Sequence, residues 1–575
     1  FGLTIVFTML ISLFDAFTVA PMLSAYMASP AEHNKGNGFI ARILKAFDTF
    51  QTRLEDLYER FLVKALKYPK SVLAIATFVF VASMMTLPFI PKTFLPTADN
   101  GEFSITVELP VGTSLQGTAN FTKGIEDILK KDPTIDMVLT TVGSANGEAN
   151  KASLFVRLVD RKNRQLTTTQ TKTVVREKVL PFKEKAIVEV GDIDAVNSGQ
   201  KPFNLNITGD DLESLSKYAN TLKERLRKIP GLIDVDTNFR SGKPEFHVVF
   251  EREKTEHLGV STAMAGAELR YRTEGAEAAV FRENGIEYKV RVRLEEKYRD
   301  LREQFNSTFV PNSNNNMISL NRIAKAEDAF GYSQINRQNK NRFINLAGNL
   351  GPNGSLGGIT TEVQRILKED LPPPPGVDCR FQGQAEDFQD LISSMLLAIF
   401  LGVLFIYLVL SSLYESFVTP FTILLALPLA MCGAMVALLV FGKSIDIFSL
   451  IGIVLLLGVV AKNSILLVDY TKQMEQQGFK RNEALLKASR TRLRPILMTS
   501  LALIAGMIPI AIGLNEASAM RTSMGIAIIG GLISSTVLTL IVVPAAYGFI
   551  DDFRVAAGRF FSRFGGRHHS HEVRE

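Results

Sequence analysis

The sequence LLLGVVAKNSILLVDY runs from Leu455 to Tyr470 of this chain. It belongs to an apolar run that starts near Phe448, yet it contains Lys462 and, two helical turns later, Asp469. An ammonium group at the depth of the hydrocarbon core costs about 2.5–3.5 kcal/mol even on lenient insertion scales. The segment is therefore predicted to cross a membrane, and its lysine is predicted to have a specific task there.

Six runs of about 18–25 mostly apolar residues are long enough to be membrane helices. They lie at about 71–90, 391–410, 417–441, 447–469, 496–514 and 523–549. A further run, FGLTIVFTMLISLFDAFTVAPML, starts at Phe1 without a methionine or a basic segment before it. We therefore expect the chain to be the later part of a longer protein, cut within a membrane helix. A soluble core would have to bury six helices that have almost no polar face, an interpretation that we disfavour.

The distribution of lysine and arginine predicts the orientation of these spans. The loop from Thr471 to Pro495 has many more basic than acidic residues and should be cytoplasmic. Alternating crossings then place segment 29–70 and the C-terminal tail on the same side, and both are basic as well. The large polar block of about 92–388 is consequently predicted to lie on the opposite side of the membrane.

Residues 29–70 are predicted to form a cytoplasmic interfacial amphipathic helix. Apolar residues recur at helical spacing along one stripe, and charged residues fill the opposite face. The stripe consists of Ile40, Ile43, Phe47, Phe50, Leu54, Leu57 and Phe61. A coiled-coil seam would use the same stripe and remains the alternative.

The outer block alternates strand-like and helix-like segments, which predicts paired ferredoxin-like sandwiches. In the first, strands are expected at 101–112, 151–158 and 186–190, with helices at 114–131 and 167–181. A similar order restarts at FNLNITGDD, with a helix at 212–228 and strands in IDVDTNF and PEFHVVFE. It resumes after an insertion with strands in RFINLAGNL and VDCRFQGQ around a helix at 359–368.

These segments divide the chain into predicted parts. They are a truncated transmembrane helix (1–28), the interfacial helix (29–70), a transmembrane helix (71–91), a first outer subdomain (92–200), a second outer subdomain (201–251 and 329–388), an inserted docking subdomain (252–328), five transmembrane helices (389–550) and a cytoplasmic tail (551–575).

The position of Lys462 predicts a partner from another helix. With the cytoplasmic end of the span near Tyr470, Lys462 lies about eight residues inside, or about 12 Å at 1.5 Å per residue. That depth exceeds the reach of a lysine that snorkels to the interface, which is the simpler alternative. Asp469 is two turns away, too far for a direct pair, and the other complete spans have no carboxylate at comparable depth. We therefore expect the acidic partner in a part of the protein that precedes this sequence.

The next span adds a hydroxyl and a cation to the candidate site. Thr499 lies one turn inside the sequence RPILMTS, and Arg492 stands just before it at the cytoplasmic mouth. Because the two helices run antiparallel, Thr499 and Lys462 are expected at similar depth, where polar clusters mark ion paths. Two alternatives stay open, a hydrogen bond of Thr499 to its own helix and a role of Arg492 as a topology signal only. The predicted proton relay consists of Lys462, Thr499 and Arg492.

The sequence indicates an ion gradient as the energy source for any active transport. The GKS at Gly442–Ser444 has Ala437 where a phosphate-binding loop needs its first glycine, and no nucleotide-binding domain is visible. The tail HHSH at 568–571 is too short for a closed metal site. We predict no metal site, no cofactor, no nucleic-acid partner and no enzymatic activity.

Several motifs together resemble the C-terminal half of a known transporter family. GVVAKNSILLVDYTKQ and EALLKASRTRLRPILMTSLALIAGMIPIAI look like the tenth and eleventh membrane helices of resistance-nodulation-division exporters, in the hydrophobe/amphiphile branch. LYESFVTPFTILLALPLAMCGA resembles the ninth helix, and LGVSTAMAG the start of the family's inserted docking subdomain. The likeness covers essentially the whole chain, from the family's sixth helix onward.

This resemblance implies a homotrimeric proton antiporter of the bacterial inner membrane that exports hydrophobic or amphiphilic compounds. Its implied partners are a periplasmic adaptor, an outer-membrane channel, the N-terminal half of the same transporter and the lipid bilayer. By motif position Lys462 matches the family's relay lysine, Thr499 the relay hydroxyl and Arg492 the arginine at the cytoplasmic proton mouth. The relay's two aspartates belong to the family's fourth helix, which agrees with the unpaired lysine. The predicted fold class is a multi-pass α-helical membrane protein with a large α+β periplasmic region of ferredoxin-like βαβ sandwiches.

One stretch departs from the family pattern. Drug exporters have a phenylalanine- and glycine-rich loop after the first outer helix, whereas this chain has TTVGSANGEANKASLFV, with no aromatic residue before Phe155. Leu139 stands where the family often has phenylalanine. Phe155 is therefore the one substrate-binding candidate, and a pocket with less aromatic surface is expected to favour lipids or other amphiphiles.

Two other functions compete with this interpretation. A metal-ion exporter of the same superfamily predicts clustered methionines or carboxylates in the outer block, whereas Met137, Met264 and Met317 are scattered. A non-transporting membrane assembly scaffold would leave Lys462 without a role.

Overall fold

The computed structural model describes residues 2–27, 39–96, 99–144, 147–193, 201–240, 242–332, 334–351, 354–514 and 516–564. Seven helices in these residues are long and apolar enough to cross a membrane, as the apolar runs predicted. They are Gly2–Tyr26, Pro69–Phe89, Gln384–Tyr414, Thr419–Val440, Ile447–Gln476, Arg481–Ile512 and Thr522–Asp552. The prediction of a multi-pass α-helical membrane protein is confirmed.

The described residues of the first part of the chain contain four α-helices. Helix α1 (Gly2–Phe14) continues through a π-helical turn (Asp15–Val19) into α2 (Ala20–Met27). Helix α3 (Phe39–Lys67) is followed by α4 (Pro69–Met84). The break between them lies at Pro69, because proline has no backbone N–H to continue α3 and its fixed φ suits the first turn of α4.

Part of the predicted amphipathic stripe of α3 can be compared with the structure. The side chains of Ile40, Ile43 and Phe47 lie outside the described residues, and so does the segment 28–38. Of the remaining stripe, Phe50, Leu57 and Phe61 are exposed.

The first outer sandwich has the strand and helix order of a ferredoxin-like fold. Its elements are β1 (Glu102–Glu108), α5 (Leu115–Leu129), β2 (Ile135–Val142), β3 (Lys151–Leu158), α6 (Thr168–Lys178) and β4 (Ile187–Asp192). The antiparallel sheet has the order β2-β3-β1-β4, which is the ferredoxin-like order. Both helices start at side-chain caps, Ser114 for α5 and a Thr167 capping box for α6.

Strand β2 was missing from the sequence-based assignment, which left residues 132–150 without a strand. It is an edge strand, and none of its residues is fully buried. Met137 and Leu139 are exposed on it. An edge strand with so little burial lacks the alternation of apolar and polar residues from which strands are recognised.

The second outer sandwich begins with β5 (Phe203–Gly209), α7 (Leu212–Leu226) and β6 (Leu232–Thr237), followed by β7 (Lys243–Phe250). The insertion then consists of α8 (Arg252–His257), α9 (Thr262–Thr273), β8 (Ala276–Glu283), β9 (Ile286–Val292), α10 (Leu301–Gln304), β10 (Phe309–Pro311), β11 (Met317–Ser319) and β12 (Ala324–Gly331). The chain returns through β13 (Arg337–Gln338), β14 (Asn341–Leu350), α11 (Leu356–Arg365) and β15 (Asp378–Phe381).

The segment PEFHVVFE forms a strand, as predicted, but the prediction that this strand belongs to the sheet of the second sandwich was wrong. The sandwich sheet runs β15-β5-β14, with β6 and β13 on the far side of β14, so β6 and β14 are its second and third strands. Strand β7 instead pairs with β12 as a separate antiparallel ribbon. The ribbon carries the insertion, since its two strands lead into and out of it. The alternation of apolar and polar residues predicted a strand here. It could not predict that the partner strand lies about 80 residues later in the chain.

The remaining helices form the membrane bundle. They are α12 (Gln384–Tyr414), α13 (Thr419–Leu424), α14 (Ala426–Val440), α15 (Ile447–Gln476), α16 (Arg481–Ile512), α17 (Glu516–Ala519) and α18 (Thr522–Phe564). Helix α18 is central and packs against α14, α15 and α16. Its most apolar window is 61% buried, against 11% in α16 and 6% in α12, so α12 and α16 present open apolar faces.

Two glycines allow α14 and α18 to touch. A Cβ on Gly433 would lie 2.2 Å from the carbonyl oxygen of Gly530, and a Cβ on Gly530 would lie 2.3 Å from Ala437 Cβ. Small residues at such crossings let helix backbones approach closely in membranes. This contact sets how α18 is rotated towards its other neighbours, α15 and α16.

Candidate functional site

Lys462 lies on an exposed face of α15. Its neighbours Ala461 and Asn463 are buried, while Lys462 itself is exposed. The ion pairs of the described membrane bundle involve Arg481, Arg490 and Arg494, and none of them includes Lys462. Asp469, the acid on the same helix, accepts a hydrogen bond from the Gln473 side chain at 2.8 Å. In the described part of the chain the ammonium group therefore has no carboxylate partner.

Thr499 also lies on an exposed face, on α16. Its hydroxyl is 3.1 Å from the carbonyl oxygens of Pro495 and Ile496, in its own helix. This is the local hydrogen bond that the sequence left open as the alternative. The hydroxyl oxygen still has acceptor capacity towards a group on the open side of α16.

A buried polar contact lies directly behind these two residues and was missed from the sequence. The Asn463 side-chain amide donates to Ser500 Oγ at 3.4 Å, and Ser500 Oγ is 2.9 Å from Thr536 Oγ1. Thr536 Oγ1 is also 2.7 Å from the carbonyl oxygen of Leu532. Since each hydroxyl has one proton, all contacts are satisfied when Ser500 donates to Thr536 and Thr536 donates to Leu532. This chain of hydrogen bonds joins α15, α16 and α18.

The polar contact aligns the two predicted relay residues. Asn463 follows Lys462 and Ser500 follows Thr499 in the sequence, so a hydrogen bond between the second members holds the first members at one level of the bundle. The signal was present in the dipeptides Lys462–Asn463 and Thr499–Ser500. Sequence alone offered no way to decide which polar residue of each pair faces the neighbouring helix.

Arg492 differs from the two neighbouring arginines of α16, Arg490 and Arg494. Arg490 pairs with Asp56 and Glu59, and Arg494 pairs with Asp48, all on α3. The Arg492 guanidinium instead lies 4.6 Å from the centre of the Tyr470 ring on α15, and its Nε has no hydrogen-bond partner in the described residues. Arg490 and Arg494 therefore attach α3, while Arg492 turns towards the end of the helix that bears Lys462.

The outer end of α15 is joined to the second sandwich by residues 91–94, which we call the strap. On one side, Ile445 N donates to Pro91 O at 2.8 Å and Thr93 N donates to Ile445 O at 3.1 Å. On the other side, Gly357 N donates to Lys92 O at 3.0 Å. The strap is thus hydrogen-bonded both to the start of α15 and to the start of α11.

Two features keep the strap in close contact. A Cβ on Gly357 would lie 2.8 Å from Lys92 Cβ and 3.0 Å from the Phe388 ring, so only glycine permits this approach. Beside the strap, the fully buried Asp446 caps α15 by accepting from Ser449 N at 2.8 Å, and it accepts from the Ser523 hydroxyl of α18 at 2.8 Å. Backbone and side-chain contacts therefore tie α15, α18 and α11 together at the outer mouth.

Phe155 lies on the face of the first sheet that is not covered by helices. The core face of β3 carries Leu154 and Val156, whereas Phe155 is half-buried on the other face and stands opposite Leu139 and Ser104. This places it on the same face as the strand residues that border a cleft between the two sandwiches. It is not among the residues lining that cleft.

The cleft between the sandwiches has a volume of about 400 Å³ and is lined mostly by charged and uncharged polar side chains. Arg240 forms a two-pronged pair with Glu108 at 2.8 and 2.7 Å across it, and Lys201 pairs with Glu189 at 2.7 Å. Burial raises the pKa of Glu189, although Lys201 acts in the opposite direction. Phe343 is the aromatic residue of the lining.

The described residues contain no group of three or more histidine, cysteine, aspartate or glutamate side chains arranged to hold a metal ion. Met137, Met264 and Met317 lie on β2, α9 and β11, three different elements.

Comparison with known proteins gives the family. The sequence profile of the AcrB/AcrD/AcrF family matches residues 1–551. Proteins called multidrug resistance protein MdtC from Yersinia pestis bv. Antiqua (strain Angola) and Yersinia pseudotuberculosis serotype O:3 (strain YPIII) are each 30% identical to this chain over 559 residues. The match covers 96% of this chain and 54% of each relative, so the chain spans about half the length of the curated relatives it matches.

The fold is also that of a solved pump. The crystal structure of a heavy metal efflux pump superimposes with a TM-score of 0.79 at 23% identity, covering 87% of this chain and 53% of that chain. At this identity the likeness shows the fold alone. With the family match over nearly the whole sequence, the chain belongs to the AcrB/AcrD/AcrF family, which confirms its resemblance to resistance-nodulation-division exporters.

Proposed function

We propose that this chain is the second half of a proton-driven exporter of hydrophobic or amphiphilic compounds, the inner-membrane pump of a tripartite system in a Gram-negative envelope. The observation that carries the proposal is the ammonium group of Lys462, which stands without a described carboxylate on an apolar span and level with Thr499. An ionisable group at such a place marks an ion path by default. The name of the MdtC relatives supports drugs as one class of substrate.

In the proposed mechanism, carboxylates from the other half of the transporter pair with Lys462 on the open side of α15. When they take up protons, the attraction ends and α15 shifts relative to that half. The hydrogen bonds from Asn463 to Ser500 and on to Thr536 would keep α15, α16 and α18 together as one body during the shift. Arg492 at the cytoplasmic mouth would direct proton release. The membrane potential supplies about 2.3 kcal/mol per charge per 100 mV, which is enough to repack a helix pair.

Two connections would pass this movement to the outer sandwiches. The strap joins the start of α15 to α11 through backbone hydrogen bonds. Helix α12 begins inside the second sandwich, where Ala385 and Phe388 belong to its apolar core, and continues through the membrane to Tyr414. A shift of the bundle would therefore move the second sandwich against the first and change the width of the cleft. In this proposal the pumps act as trimers, with a periplasmic adaptor and an outer-membrane channel as partners.

Substrate contacts are proposed on the helix-free face of the first sheet. Phe155 and the exposed Leu139 stand opposite each other on neighbouring strands and form an apolar patch beside the charged cleft. An apolar patch next to ion pairs suits amphiphiles, because the apolar part and the polar part of such a molecule each find a matching surface.

Export of metal ions is the second candidate, favoured by the fold of the heavy metal efflux pump. A membrane scaffold without transport is the third. A metal exporter requires metal-dependent transport that survives the loss of Phe155 and Leu139, and a scaffold requires no transport at all.

The decisive experiment uses the complete transporter in proteoliposomes with an imposed pH gradient. Lys462→Ala should abolish proton-dependent export of an amphiphilic dye while the protein still assembles. Lys480→Ala, which removes an exposed lysine from the cytoplasmic loop, is the matched control and should export normally. Normal export by Lys462→Ala would refute the relay, and zinc or copper transport in place of dye transport would establish the second candidate.

A further inference from the structure

Different sides of helix α3 have different partners. Gln51, Tyr58, Leu62 and Ala65 form a buried stripe at spacings of seven, four and three residues, which puts them on one side of an α-helix. Tyr58 donates its hydroxyl proton to Leu540 O of α18 at 2.7 Å, and Leu62 packs with Leu493 and Ile496 of α16. This side attaches α3 to the cytoplasmic ends of α16 and α18.

Three of the four acidic residues of α3 take part in this attachment. Asp56 and Glu59 pair with Arg490, and Asp48 pairs with Arg494. These three carboxylates therefore face Arg490 and Arg494 of α16, whereas Glu55 has no ion pair among the described residues.

The other flank carries an apolar stripe and a basic stripe. The apolar stripe consists of Phe50, Leu57, Phe61 and Tyr68. Each precedes a buried position by one residue or follows one by three, which places it about 60–100° around the helix from the attached side. They are 63%, 53%, 58% and 58% exposed. The basic stripe follows next around the helix and consists of Arg53, Arg60, Lys64 and Lys67, all exposed and without an ion pair among the described residues.

The position of helix α4 indicates how deep this flank of α3 lies in the membrane. Helix α4 is a candidate membrane span that begins at Pro69, directly after Tyr68 and at the end of α3. If α4 enters the membrane at Pro69, the apolar stripe of α3 is expected at the boundary of the hydrocarbon core, with the four cations beside it among the lipid headgroups. Aromatic and aliphatic side chains next to unpaired cations are the features with which a helix in the interface plane binds anionic lipid.

We propose that this flank of α3 is a binding surface for anionic phospholipids, with Phe50, Leu57 and Phe61 among the acyl chains and Arg53, Arg60, Lys64 and Lys67 against the phosphate groups. The surface is complementary to such lipids in its charge and in its apolar side chains. The proposed lipid binding goes beyond the transport cycle. It depends on the placement of α3 and α4 and on no step of proton coupling. Anionic lipid would hold α3, and through Arg490 the start of α16, at a fixed height in the membrane.

The test uses the complete transporter in nanodiscs and the substitution Phe61→Trp. This chain contains no tryptophan, so the introduced indole adds a reporter on the stripe, and the signal of the parent protein is subtracted. Fluorescence quenching is measured with dibrominated phosphatidylglycerol and with dibrominated phosphatidylcholine at equal mole fractions. We expect phosphatidylglycerol to be preferred by about threefold or more.

Two sets of variants decide the cause of that preference. Replacing Arg53, Arg60, Lys64 and Lys67 by glutamine should bring the ratio of the two quenching constants to about one. The matched control removes the same charge from exposed lysines of the outer sandwiches, Lys123, Lys162, Lys185 and Lys217, and should keep the preference. The proposal is overturned if both lipids quench the fluorescence of Phe61→Trp equally while the four cations are unchanged. Absence of quenching by either lipid also overturns it, because the stripe is then covered by protein, such as a second copy of this chain.

Discussion

Asn463 on α15 and Ser500 on α16 meet through a side-chain hydrogen bond of 3.4 Å, one residue after Lys462 and one residue after Thr499. The contact is buried, whereas the two relay candidates lie on the open faces of the same helices. The buried pair can therefore fix the geometry of the exposed pair without taking part in proton transfer.

The first prediction concerns this buried pair. In a double-mutant cycle, Asn463→Ala and Ser500→Ala should show a coupling free energy of about 0.6 kcal/mol, the average for hydrogen bonds between membrane helices. It is measured by unfolding of the complete transporter in mixed micelles. Ser464 gives the matched control, since it is buried beside Asn463 and its hydroxyl has no partner in the described residues. A cycle of Ser464→Ala with Ser500→Ala should show no coupling, and equal coupling in both cycles would contradict the assignment.

The second prediction concerns the strap. Gly357→Ala should displace Lys92, because the new Cβ would lie 2.8 Å from Lys92 Cβ, and should weaken the link between α15 and the second sandwich. We expect fewer substrate molecules exported per proton taken up, measured in proteoliposomes with a pH-sensitive dye inside. Gly358→Ala is the control on the same helix, with its nearest neighbour at an ordinary 3.7 Å. Unchanged stoichiometry in Gly357→Ala would show that the movement does not pass through the strap.

The third prediction concerns the crossing of α14 and α18. Gly530→Ala should lower the free energy of unfolding by about 1–3 kcal/mol, because a methyl group has no room between Ala437 and the Gly433 backbone. Gly548→Ala in the same helix has no neighbour within 4 Å and should be neutral or stabilising. Unfolding in mixed micelles compares the two variants, and equal stability would mean that the bundle adjusts without cost.

The fourth prediction is a pH dependence at the junction of α4 and the first sandwich. Burial by itself would raise the pKa of Asp99, but hydrogen bonds from Thr168 and Arg164 outweigh it and hold this pKa below the usual aspartate range. The stabilisation is therefore present above the pKa of an unfolded aspartate and is lost as the pH falls through the lowered value. Asp99→Asn should lose this contribution at neutral pH and differ little from the parent in strong acid.

Hydrogen exchange checks this prediction at the start of α6. The backbone amide of Thr168 donates to Asp99 at 2.9 Å, so protection of the peptide that contains it should fall about tenfold at pH 7 in Asp99→Asn. Each value is referred to the same peptide unfolded at the same pH. Asp160→Asn, an exposed aspartate on the loop before α6, should leave the protection unchanged. If protection falls equally at all pH values, the effect comes from the changed shape of the side chain at position 99 and not from its charge.

The periodic features of the fold were predictable from the sequence. All seven membrane helices follow from the length of the apolar runs, because a helix that faces lipid must be apolar along about 20 residues. Both ferredoxin-like sandwiches follow from the order of strands and helices. The edge strand β2 was missed since it buries little, and β7 was placed in the wrong sheet since pairing with β12 is a non-local choice.

The candidate site was predictable only in part. Lys462 and Arg492 stand out because charge in or near an apolar span is costly wherever it points. Ser500 does not stand out from Thr499, since both are hydroxyl residues that a span tolerates.

Local patterns in the sequence were enough to predict which segments enter the membrane, which side each loop occupies and which residue carries a charge among apolar neighbours. These depend on transfer free energies, which each segment contributes independently of the others. The folded packing of the helices was needed to show that Asn463 and Ser500 face inwards while Lys462 and Thr499 face outwards, and that the strap links α15 to α11. The rotation of a helix about its axis depends on close packing with distant segments, such as Gly433 against Gly530, and no local pattern encodes it.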